Sequence, residues 1–123
     1  MEIELLKIIN EELNKIVSYE YCEYKGELKY PYAVGEYNET GVTFEDNATT
    51  GEFILTLFNR GKEIDLIKIK EKIKDLFIDY RIEKEIGTFY INFRNKLFIQ
   101  SDEEDLKKME IYLDIKYWKG ASV

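Results

Sequence analysis

The chain has 123 residues, with 18 basic and 25 acidic side chains and a formal charge of −7, and its composition is 45% hydrophobic and 35% charged. That is one domain's worth of sequence, able to bury roughly two-thirds of its unfolded surface, and the acidic balance argues against a surface built to embrace phosphate. There is no histidine, which removes the commonest general base, the commonest zinc ligand and the usual partner of a serine or cysteine nucleophile.

From Glu2 to Val17 the apolar residues Leu5, Leu6, Ile9, Leu13, Ile16 and Val17 recur at three- and four-residue spacing, the pattern of an amphipathic helix. The segment opens on charged residues and not on a secretory signal, and the single Cys22 has no internal disulfide partner, so a reducing, cytosolic setting is expected. No apolar run reaches the ~18 residues of a membrane span, and no membrane association is expected.

Tyr19 to Tyr24 and Tyr30 to Tyr37 read as two aromatic-rich strands turning at Lys25-Gly26, a hairpin. Residues 38–51 combine Gly41, Asn47 and Gly51 with Thr, Asp and Glu, and are expected to form a long turn or excursion. In Phe53 to Phe58 both alternating faces are apolar, which predicts a central strand covered on both sides and closed by Asn59-Arg60-Gly61.

A second helix is predicted from Glu63 or Asp65 to Asp79, with Leu66, Ile69, Ile73, Leu76 and Phe77 on one stripe. Thr88 to Arg94 and Leu97 to Gln100 read as one bent strand or two. Ser101 followed by Glu104 fits a capping box and a single helical turn. Met109 to Trp118 alternates most cleanly: Met109, Ile111, Leu113, Ile115 and Tyr117 on one face, Glu110, Tyr112, Asp114, Lys116 and Trp118 on the other. The expected fold is a single α+β domain over residues 1–123, an antiparallel-dominated sheet of four to five strands with two helices packed on one face.

Candidate chemistry is sparse. The acidic run Asp102 to Asp105 lacks the alternating ligands and glycine of a calcium loop and reads as a solvated turn. Asp114-Ile115-Lys116 matches the acid-x-lysine tripeptide that PD-(D/E)xK nucleases carry on a strand, with Asp46 or Glu45 as a second magnesium ligand. Any strand with an alternating charged face produces the same tripeptide often. Cys22, without a histidine, reads as a packed small side chain and not a catalytic thiol, and no glycine pattern suits a phosphate loop. No catalytic, cofactor-binding or metal-binding residue is assigned, and the chain is not expected to be an enzyme.

Ten tyrosines and a 15% aromatic content exceed what one small core consumes. Tyr and Trp are enriched at protein contacts because they bury large area at low entropic cost. Tyr112 and Trp118, on the polar face of the last strand, are expected at an interface. For Tyr19, Tyr21, Tyr30, Tyr32 and Tyr37 the alternative is that they rim the sheet with their hydroxyls in water.

The layout resembles the tail-terminator and tail-completion proteins of long-tailed phages and prophages. The resemblance rests on the N-terminal helix, the strand Tyr32 to Tyr37, the strand and turn Gly51 to Gly61 leading into the helix Leu66 to Phe77, and the closing segment Ser101 to Trp118. It spans almost the whole chain and lies in layout and length, with no invariant motif. It implies a homo-oligomeric ring, hexameric in that family, that caps the tail tube, stops its polymerisation and meets the head connector. It also implies assembly in the host cytoplasm and a final place in the virion tail; with a charge of −7 on each copy of such a ring, DNA is expected to pass an acidic lumen without specific binding. The contact along the stack is then expected on the 38–51 excursion, through Glu39, Val42, Phe44, Glu45 and Asp46. The lateral contact is expected on the free face or edge of the last strand, through Tyr112, Asp114, Lys116 and Trp118. The competing readings are a regulatory module binding a small ligand or peptide on its sheet face, and the metal-dependent nuclease.

Overall fold

The computed structural model describes residues 1–27, 29–42, 46–101, 103 and 105–120. The chain runs α1 (Glu2–Leu13), β1 (Ser18–Tyr21), β2 (Tyr32–Val42), β3 (Thr49–Arg60), α2 (Glu63–Leu76), β4 (Tyr80–Lys84), β5 (Gly87–Ile99) and β6 (Leu106–Lys119). The six strands form one sheet in the order β1-β2-β3-β6-β5-β4. Only β1 and β2 are parallel, so the sheet is antiparallel-dominated as expected, with more strands than the sequence suggested.

In α1 the buried positions Leu5, Ile8, Ile9 and Leu13 make the stripe that meets the sheet. The helix ends before Val17. The Asn14 side chain donates to the Asn10 carbonyl and accepts from the Tyr19 amide, while a tight turn still carries Val17 into the core. In α2 the buried contacts are Leu66 and Ile73, with Phe77 just past its end. The helix is launched by the turn at Gly61 (φ 112°) and by buried Asn59, whose amide donates to the Lys62 carbonyl at 3.2 Å.

One face of the sheet supplies the rest of the core. Ala33, Gly35 and Tyr37 of β2 lie in register with Leu57, Leu55 and Phe53 of β3, which in turn oppose Met109, Ile111 and Leu113 of β6. Phe89 and Ile91 extend the row into β5. The buried side chains of both helices belong to the same cluster, so both helices cover this one face.

Several expectations change. The Tyr19 to Tyr37 segment is not a hairpin: β1 pairs in parallel with β2, Ser18 opposite Tyr32. The chain turns off at Cys22, which adopts φ 66° and donates its amide to the Gly35 carbonyl. A strand of four residues is only ~13 Å long, a distance that the polar link 22–31 covers on its way back to the same end of the sheet. Cys22 is exposed and not packed. Most of the 38–51 excursion is strand: Asn38, Glu39, Gly41 and Val42 pair with Glu52, Gly51, Thr50 and Thr49, across a bulge at Thr40. Polar residues exposed at the end of a ladder carry no alternation to read.

β3 is central, but it is covered on one side only, because Ile54, Thr56 and Phe58 on its other face are half-buried. β5 is a single strand bent by a bulge at Arg94. The capping-box residues Asp102 and Glu104 lie outside the described residues; β6 begins at Leu106, three residues before the expected start at Met109. Among the described residues, no helix is long and apolar enough to cross a membrane.

Candidate functional site: the uncovered sheet face

The side chains that alternate with the core row form a second face that no element of the chain covers among the described residues. On β6 it carries Glu110, Tyr112, Asp114, Lys116 and Trp118, all half-buried. The strand alternation that places Ile111, Leu113 and Ile115 in the core fixes these five on the opposite side.

At the centre of this face lies an ionic cluster built across three strands. Glu52 of β3 is the direct register partner of Asp114, and like charges opposite one another on neighbouring strands repel. The bulge in β5 places Arg94 against both: its guanidinium donates to the Glu52 carboxylate and lies 3.2 Å from Asp114. The hydrogen bond to Glu52 raises the Arg94 pKa further above its ordinary value. The same guanidinium sits 5.6 Å from the centroid of the Tyr112 ring, whose hydroxyl donates to Glu110 at 2.8 Å and titrates above the usual tyrosine range chiefly because of that bond. Lys116 pairs with Asp46 at 3.7 Å and also lies over Trp118, as does Arg81 of β4.

Toward the other end of the face, Tyr32 stacks on Phe58 with centroids 4.8 Å apart and planes 15° from parallel. Tyr24 and Tyr30 pack against Tyr32 at 4.9 and 5.4 Å. Cations overlie both ends of this group, Arg60 on Tyr30 and Lys108 on Phe58. Arg60 also binds Asp105 at 2.7 Å and Glu103, so the acidic turn after β5 is partly neutralised by β3. Aromatic faces flanked by cations and backed by a sheet make adhesive surface.

The chain matches no protein-family model and no curated protein.

The structure brings Tyr112, Asp114, Lys116 and Trp118 together on this face and adds Asp46 to them through Lys116. Glu39 and Val42 stand apart, exposed at the outer end of β2. Phe44 and Glu45 lie outside the described residues. The edge of β6 is unavailable for a lateral contact, because β3 and β5 pair along its two sides; only its face is open. For the nuclease geometry, the structure does set a second carboxylate, Glu52, beside Asp114, but Arg94 occupies the space between them and Asp46 is engaged by Lys116. Among the described residues, no three Cys, Asp or Glu side chains are grouped to hold a metal ion. Glu52, Arg94 and the Tyr32–Phe58 stack escaped the sequence reading, since cross-strand register assembles them from segments far apart in the chain. Tyr19 and Tyr37 do not rim the sheet: both are buried in the core.

Proposed function

We propose that the chain is a structural subunit of tail-terminator type, which assembles into a ring, caps a phage tail tube and presents a surface to the head connector. The observation that carries the proposal is the uncovered sheet face, where Tyr32, Ile54, Phe58, Tyr112 and Trp118 remain half-buried among paired charges. A monomer gains little from half-buried rings on an uncovered face, whereas a protein contact buries them fully at small entropic cost. The layout of elements described for that family supports the same reading, and so does the charge of −7, since acidic copies arranged in a ring repel DNA and let it slide through the lumen.

The experiment is to add the purified chain to polymerising tail-tube protein and measure tube length by electron microscopy. Short tubes ending in a ring of added density are the expected result. Tubes of unaltered length with no bound chain would contradict the proposal.

A further inference from the structure

The two edges of the sheet carry opposite charge. The strands of one edge, β1 and β2, contain Glu20, Glu36 and Glu39 and no lysine or arginine. Those of the other, β4 and β5, contain Arg81, Lys84, Arg94 and Lys96 against a single acid, Glu83. Arg94 is committed to Glu52 and Asp114 within the chain. Even without it the second edge is basic, and it is basic on a molecule whose overall balance is strongly acidic.

The edges also match in outline. β1 pairs with residues 32–35 of β2, and the Tyr21 hydroxyl accepts from the Tyr37 amide, which leaves Asn38 to Val42 with an open side among the described residues. β4 pairs with residues 87–91 of β5, and just beyond it the Phe93 amide donates to the Phe77 carbonyl, which leaves Asn95 to Ile99 open among the described residues. Because β2 and β5 run in opposite directions, the two short strands fall at opposite ends of the sheet: β1 at the level of Lys96 to Ile99, β4 at the level of Glu39 to Val42. Each edge is therefore a step, and the step of one fits the step of the other. Placed side by side, β4 of one copy faces the open part of β2 in the next, and β1 of that next copy faces the open part of β5. Unpaired strand edges are templates for strand addition.

We propose that the acidic β1/β2 edge docks on the basic β4/β5 edge of a second copy of this chain, continuing the sheet from subunit to subunit with the helices on one side. The contact is heterologous, so repetition generates a ring or a filament and not a two-fold dimer. It rests on the assembly reading above and names the lateral surface that reading requires.

The test uses two charge-reversed full-length chains, Glu36→Lys/Glu39→Lys and Arg81→Glu/Lys84→Glu, all four positions being exposed. Mass is followed by light scattering in whichever condition wild type assembles, alone or with tail-tube protein. Each variant alone is expected to associate at least ~10-fold more weakly than wild type, because like charges then face each other. A one-to-one mixture is expected to recover assembly, because each variant supplies the edge the other lacks. Unchanged association of both variants, or a mixture that stays dissociated, overturns the edge contact and leaves the assembly reading standing. Wild type that remains monomeric in both conditions overturns both. Should a reversal disturb the circular dichroism spectrum, the neutral Glu36→Gln/Glu39→Gln and Arg81→Gln/Lys84→Gln chains are read instead, with a smaller loss expected.

Discussion

At Gly35 a methyl group would overlap the Phe53 ring and sit 2.9 Å from the ring of Tyr19, so the close approach of β2 to its neighbours demands glycine there. Gly35→Ala is expected to cost about 1–3 kcal/mol through overpacking, read as a lower midpoint in urea with an unchanged slope. Two further residues make stability depend on pH. The hydroxyls of Tyr19 and Tyr37 are buried without a hydrogen-bond partner among the described residues. Burial raises both pKa values above the ordinary 10, that of Tyr37 to about 12. A group whose pKa is raised on folding stabilises the native state below its unfolded pKa and loses that contribution as pH climbs toward the folded value. The melting temperature should therefore hold up to pH 10 and fall between pH 10 and about 12. Tyr19→Phe/Tyr37→Phe, which removes the unsatisfied hydroxyls, should flatten that fall without lowering stability at neutral pH.

Among the elements, β6 organises both faces: its odd residues complete the core and its even residues form the centre of the open face. Replacing Tyr112 and Trp118 together by serine should leave a cooperatively folded chain, since neither ring belongs to the core. In the proposed assembly these rings anchor the contact, so association should weaken by ~2 kcal/mol or more, roughly 30-fold. Light scattering on the variant, alongside its thermal melt, separates the two effects. Both helices and β6 were legible in the sequence because burial on one side imposes a period of 3.6 or 2 that the residues display. β4 was not legible: in Tyr80 to Lys84 no side chain is fully buried, and the strand exists because β5 offers a ladder. The parallel placement of β1 was equally hidden, since it depends on where the polar link 22–31 returns and not on the strand's own residues. For the site, alternation revealed Tyr112, Asp114, Lys116 and Trp118. Glu52 and Arg94 become their neighbours only through the register of β3 and through one extra residue in β5.

Among the described residues the molecule is a sheet with both helices on one side and no helix or strand on the other, bounded by one acidic edge and one basic edge. Such a shape buries a full core and still presents a broad face and two borders of opposite charge, the surfaces that the proposed repeating subunit would use. Salt should weaken association through the edges by screening their charges, while the stability of the isolated fold, which rests on apolar packing, should vary little over the same range. The most direct measurement is the solution mass of the purified chain by light scattering across a concentration series, alone and with tail-tube protein. The account predicts a discrete species at a multiple of the 14.7 kDa protomer, consistent with a closed ring. A mass of one protomer at every concentration in both conditions would contradict it.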